Sequence, residues 1–208
     1  MYMFNRRVRL ASADGLEWAS RIAQRASEIS GHQIDLWGTV YSEAFGTVSW
    51  TSWFENLEAL QGFGDKLEAS EEYQKLTAEG RELIDGGADD GLLQLIHGAP
   101  DPDADPQYVS GVTAVGASGN LERSMACGVD IAETATSITG LNTLFARSMT
   151  GPYGGIGWLT GYASLAEFEK AQDALAAEPS WIKLLDTTEG AFVEDPALTQ
   201  STIYRKLG

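Results

Sequence analysis

The sequence holds one cysteine, Cys127, among 208 residues. A lone thiol cannot close an internal disulfide, so stability must come from packed cores, and a reduced thiol fits a reducing compartment. Histidine is almost as scarce. His32 and His97 lack a helical i, i+4 partner and a neighbouring cysteine, which excludes a structural zinc site on ligand count. Basic charge is short as well: 14 Lys and Arg stand against 30 Asp and Glu, giving a net charge of −16 and a pI near 4.3. Nucleic acids and anionic membranes bind clustered positive fields, so neither is the expected partner. No apolar run approaches the ~18 residues of a membrane span. The three arginines within residues 1–10 have no apolar stretch behind them of the kind a secretory leader needs. A soluble, cytoplasmic protein is expected.

What is present is the composition of a folded chain, 43% hydrophobic and 10% aromatic, arranged as an internal repeat. Displacing the chain by 108 positions aligns residues 32–76 with 140–184. Leu36 meets Leu144, Trp37 meets Phe145, Phe45 meets Tyr153, Val48 meets Ile156 and Trp50 meets Trp158. Further on, Leu57 meets Leu165, Leu67 meets Leu175 and Tyr73 meets Trp181. Upstream the displacement is 105, so that Ile22 meets Cys127. This implies about three extra residues near the end of the second copy's first helix.

Each copy reads as one βαββαβ unit. An extended segment (Phe4–Leu10, Val109–Val115) leads into a helix with apolar residues Leu16, Ala19, Ile22, Ala23 and Ala26 at helical spacing. A hairpin follows, Ile34–Tyr41 with Gly46–Trp53, matched by Asn142–Met149 with Gly154–Gly161. Asn56 and Ser164 are good N-caps for the second helices, and Ser164 with Glu167 spells a capping box. Leu92–His97 and Thr199–Lys206 close the units, and the Pro- and Asp-rich stretch 99–107 links residues 1–98 to residues 108–208. Right-handed crossovers make each unit a four-stranded antiparallel sheet with both helices on one face. The predicted fold is therefore α+β: two ferredoxin-like units whose bare sheet faces cover each other as an α/β barrel with the helices outside. The chain is then a monomer with an internal pseudo-dimer, or a homodimer of such chains.

The strand ending in Trp and an aromatic that runs into an Asn/Ser-Leu helix start occurs twice, as Trp50-Thr51-Ser52-Trp53-Phe54-Glu55-Asn56-Leu57 and Trp158-Leu159-Thr160-Gly161-Tyr162-Ala163-Ser164-Leu165. In this the chain resembles the dimeric α/β-barrel superfamily and, within it, NIPSNAP-like proteins. That superfamily includes cofactor-independent monooxygenases such as those of antibiotic biosynthesis, polyketide cyclases and haem-handling enzymes, and fold alone does not choose among them.

Strand alternation sorts the side chains. Leu36, Val48 and Trp50, with Leu144, Ile156 and Trp158, recur as apolar and should lie beneath the helices, which makes the paired tryptophans core. The opposite face collects Arg7, Arg9, Trp37, Thr39, Tyr41, Ser49, Thr51, Trp53 and Gln94 from the first copy. From the second it takes Phe145, Arg147, Met149, Thr202 and Tyr204, with Gly155, Gly157 and Gly161 leaving room for a small molecule. If the protein is an enzyme, the resemblance implies cofactor-independent chemistry on an aromatic or polyketide-like substrate, with no cofactor expected. Arg9 and Arg147 would then stabilise a phenolate or enolate oxygen in a water-poor cavity. Trp37, Trp53, Tyr41 and Tyr204 would pack on the ring, with Tyr204 also counted among the catalytic candidates. Arg7, Thr39, Ser49, Gln94, Phe145 and Met149 would line the site, and Asn5 would serve as a donor by analogy.

Other motifs fall away. The glycine-rich stretch Val115–Leu121 carries Glu122 where a dinucleotide fingerprint needs glycine. The Asp101-Pro102-Asp103-Ala104-Asp105 run has proline where a calcium loop needs its glycine. Cys127, in phase with Ile22, reads as a small core residue. Metal ligands are not expected, although His97 could supply the single axial ligand that haem iron requires. Three readings stay open: a small-molecule enzyme, a binding or assembly protein with a solidly packed barrel, and a haem-binding barrel.

Overall fold

The computed structural model describes residues 1–41 and 46–207. Phe45, one of the repeat positions, lies outside the described residues. The first repeat supplies β1 (Tyr2–Arg9), α1 (Gly15–Ser30), β2 (Asp35–Val40), β3 (Thr47–Phe54), α2 (Leu57–Glu68), α3 (Glu71–Glu79) and β4 (Asp89–His97). The second supplies β5 (Tyr108–Val115), α4 (Leu121–Thr139), β6 (Thr143–Ser148), β7 (Gly155–Tyr162), α5 (Leu165–Ala177), α6 (Pro179–Asp186) and β8 (Gln200–Lys206). Hydrogen bonding orders the strands β1-β3-β2-β8-β5-β7-β6-β4 as a closed barrel, the expected ferredoxin-like α+β class. By packing, the chain divides into unit 1, Met1–Leu93 with Arg205–Gly208, and unit 2, Gln94–Tyr204. β4 and β8 each contribute to both units.

In unit 1, Val8, Leu36, Val48 and Trp50 pack beneath Trp18, Ala19, Ile22 and Ala23 of α1. Leu16, assigned to that stripe, is 39% exposed, and Trp18 takes its place in the core. The Trp18 indole meets Trp50 edge-on at 5.7 Å and donates to the Leu76 carbonyl at 2.8 Å. In unit 2, Ala114, Ala132, Phe145, Ile156 and Trp158 form the equivalent core. The edge-on ring on Trp158 comes from a different segment, Phe192, at 5.8 Å. Trp50 donates to the Ala19 carbonyl and Trp158 to the Gly128 carbonyl, at 2.9 and 2.8 Å. Both tryptophans are core, as their phase implies.

Those two bonds realign the repeat. Ala19 corresponds to Gly128, and the helix-ending glycines Gly31 and Gly140, both left-handed, correspond to each other. The displacement across the first helix is thus 109, and the three extra residues of α4 (19 against 16) lie at its start, not near its end. Cys127 therefore matches Trp18 instead of Ile22 and is half-buried.

The same shift carries into the hairpin. Leu36 pairs with Trp50, whereas Phe145, not Leu144, pairs with Trp158. One residue fewer between the hairpin partners moves β6 by one position, and a one-residue slip turns every side chain to the other face. Phe145 is fully buried beneath α4, and Leu144 lies on the opposite sheet face, reversing both assignments.

The helix starts follow their caps. Asn56 accepts the Ala59 amide and Ser164 the Glu167 amide. Glu167 returns to the Ala163 amide at 2.6 Å, one residue before the cap, so the reciprocal arm of the expected capping box sits one position early. No helix among the described residues is long and apolar enough to cross a membrane.

Candidate functional site

With the helices on one face of each sheet, the opposite, helix-free face is where side chains can meet a ligand. In unit 1 the registers align three strands there. Arg7, Ser49 and Trp37 form one cross-strand row, and Asn5, Thr51 and Asp35 form the next. Directly opposite residues stand about 5 Å apart at Cβ, close enough for neighbouring side chains to act together.

The two rows are unevenly satisfied. Trp37, 8% exposed, donates its indole N–H to Thr51 Oγ1 at 2.9 Å. Ser49 is 3% exposed, and its hydroxyl is buried without a hydrogen-bond partner among the described residues. Leaving such a group unsatisfied costs about 1–3 kcal/mol. Arg7 is exposed and forms no ion pair among the described residues. Asn5 is half-buried and seats its Oδ1 against Gly91, where any Cβ would come within 2.5 Å. Trp53 is half-buried opposite Met3, and Thr39 Oγ1 donates to the Thr47 carbonyl at 3.3 Å.

Two residues of this face were not foreseen. Lys206 Nζ lies 3.0 Å from Asp35 Oδ1, the side chains being 15% and 21% exposed, and 5.8 Å from the centre of the Trp37 ring. Alternation held the signal: Lys206 is in phase with Thr202 and Tyr204 along β8, and Asp35 with Trp37 along β2.

Other candidates sit elsewhere. Arg9 has a side chain 65% exposed, 3.9 Å from Asp85 Oδ2, so it is not in a water-poor setting. Tyr41 lies just past β2 with φ 51° and is 81% exposed; Met149 lies just past β6 and is 44% exposed. Neither packs as a ring support. Arg147 is exposed opposite Ile156, on the helix side, where its Nε donates to Gln94 Oε1 at 2.8 Å. The β6 slip thus removes Arg147 and Phe145 from the helix-free face, and Gln94 of β4 is engaged by Arg147 there. Tyr204 stays on it in unit 2, its ring 3.1 Å from where a Gly111 Cβ would stand. The glycines of β7 leave less room than their composition suggests. A Cβ at Gly161 would meet Pro106 at 2.9 Å, at Gly155 the Pro152 carbonyl at 3.0 Å, and at Gly157 the Val112 carbonyl at 3.1 Å.

The residues do not suit haem on this face. His97 directs Nδ1 toward Glu133 of α4 at 3.7 Å, and His32 packs against Phe54 and Phe63. Among the described residues no group of three or more His, Cys, Asp or Glu is placed to hold a metal ion. A bidentate ion pair lies on the helix side. Arg6 donates to both oxygens of Asp90 at 2.7 Å, which raises the guanidinium pKa above its ordinary value despite partial desolvation.

No protein-family model and no curated protein matches this sequence. Solved structures do match over its whole length. A candidate monooxygenase from Fusobacterium nucleatum is 7% identical with a TM-score of 0.71, covering 100% of this chain and 92% of its own. An anthrone oxidase-like protein is 11% identical with a TM-score of 0.63, covering 100% and 91%. A haem-binding protein from Thermus thermophilus is 10% identical with a TM-score of 0.54, covering 100% and 91%. At such identities the likeness establishes the α/β-barrel fold alone.

Proposed function

We propose that the protein binds a planar, oxygen-bearing aromatic molecule on the helix-free face of unit 1, against Trp37. The observation that carries this reading is the Ser49 hydroxyl, buried without a partner among the described residues, in one row with the Arg7 guanidinium and the Trp37 indole. A ligand oxygen would satisfy that hydroxyl, Arg7 would hold negative charge on it, and the small exposed part of Trp37 would border the ligand. In the finer reading the bound molecule is oxidised or cyclised without a cofactor, which the fold's kinship with a candidate monooxygenase and an anthrone oxidase-like protein supports. For an anthrone-type substrate the methylene supplies the electrons. One oxygen atom of dioxygen becomes its carbonyl oxygen and the other leaves as water with the two methylene hydrogens. The doubled Trp-aromatic-Asn/Ser-Leu pattern supports a NIPSNAP-like affiliation, and the single cysteine supports a cytoplasmic location.

Anthrone is the probe. Titration followed by calorimetry should show saturable binding, with oxygen uptake if the enzymatic reading holds. Ser49→Ala should weaken binding about tenfold, the loss of one good hydrogen bond, while leaving the protein equally stable or up to about 1 kcal/mol more stable, since it removes an unsatisfied group. Arg9→Ala should change neither. Absence of binding to anthrone and its hydroxylated relatives would refute the proposal. Binding without turnover would support the non-enzymatic reading.

A further inference from the structure

We infer that the ligand of this face is an anion, selected by Lys206, and that Asp35 holds the lysine in place until the ligand arrives. The inference rests on the binding reading above and deepens it by naming the charge of the ligand class: a planar aromatic carboxylate or enolate.

Three observations converge. The first is location. In a chain with more than twice as many acids as bases, unit 1 sets Arg7 and Lys206 on one sheet face, with Asp35 from β2 and exposed Asp89 at the start of β4 as the acids of that face. Asp85 beyond the strands takes up Arg9. The second is burial. The Lys206–Asp35 pair is the most shielded of the ion pairs between described residues, the others having side chains 30–68% exposed. A solvent-facing pair needs no such enclosure. The third is aim. The ammonium stands near the Trp37 ring that would border the ligand, and Trp37 shares its row with the unsatisfied Ser49 hydroxyl. A planar ligand against Trp37 would bring an acidic substituent within reach of Lys206. Asp35 would then share a cation with the ligand, and its own negative charge would oppose binding.

That last point fixes a sign, and two near-isosteric probes read it: 2-naphthoate, an anion, and 2-naphthamide, its neutral counterpart. Calorimetric titration of the full chain should give about tenfold tighter binding of the naphthoate. Lys206→Met should bring the ratio of the two affinities close to one, and Lys206→Arg should keep it. Asp35→Asn should raise naphthoate affinity several-fold and leave naphthamide unchanged, which a merely structural role for the pair would not do. Should Lys206→Met fail to fold, the wild-type ratio and the Asp35→Asn ratio decide the matter. Equal binding of both probes to the wild type overturns the inference and leaves the aromatic-binding reading standing. So does a preference that survives Lys206→Met and vanishes in Arg7→Gln. Binding of neither probe overturns the inference, and if anthrone is unbound as well the aromatic reading falls with it.

Discussion

The placement of Phe145 beneath α4 can be tested through its contact with Gly128. A Cβ added at Gly128 would stand 2.1 Å from Cζ of Phe145, 2.4 Å from Cε2 and 2.7 Å from Cε1. The ring is 0% exposed and has Trp158 at 5.4 Å, so it cannot swing clear. Gly128→Ala should therefore incur overpacking near the upper end of its usual range, about 3 kcal/mol. The helix preference of alanine over glycine returns about 1 kcal/mol, leaving a net loss of about 2 kcal/mol. Phe145→Ala should cost about 4 kcal/mol through lost burial and the cavity it leaves. In the double variant the clash is gone and the helix gain remains, so the total should be about 3 kcal/mol instead of the additive sum of about 6 kcal/mol. Denaturant unfolding followed by tryptophan fluorescence measures each corner of the cycle. Thermal melts offer a second reading at roughly 2–4 °C per kcal/mol for a chain of this size. If Phe145 instead lay on the helix-free face, the two sites would be independent and their costs would add to within about 0.5 kcal/mol. Additivity would refute the β6 register.

Trp158→Phe should destabilise unit 2 by about 1–3 kcal/mol beyond the lost ring area, because the buried Gly128 carbonyl loses its donor. Trp50→Phe should do the same to unit 1 through the Ala19 carbonyl. Equal stability of wild type and either variant would count against these bonds. At the surface, the guanidinium of Arg25 holds the Glu28 carboxyl below its ordinary pKa, with a hydrogen bond from Gln24 adding to the effect. A lowered folded-state pKa contributes stability above the unfolded value and loses it as pH falls through the folded one. Carboxyl NMR titration should therefore show the Glu28 midpoint rising in Arg25→Gln, and an unmoved midpoint would refute the assignment.

Within each repeat, strand alternation and helical spacing are local properties, and they were enough to read the βαββαβ units, the N-caps Asn56 and Ser164, the buried tryptophans Trp50 and Trp158, and the row Arg7, Ser49 and Trp37. Alternation states only that neighbours along a strand face opposite ways. Which face turns toward the helices depends on which residue of the next strand it pairs with. Leu144 and Phe145 show the difference: both are apolar, and both fit the repeat at one offset or another. The choice was made by Trp158, whose indole is anchored on Gly128, and by a hairpin one residue shorter than its counterpart. Arg147 left the candidate site for the same reason, and Gln94 of β4 is bonded to it. Lys206 and Asp35, far apart in sequence, became partners only when the end of β8 paired back onto β2, where the Leu207 amide meets the Leu36 carbonyl at 2.9 Å. The sequence by itself determined the elements and their alternating faces, because those depend on spacings within one segment. Tertiary structure decided register, and with it the membership of the site, because register is a relation between segments that a single residue of loop length can reverse.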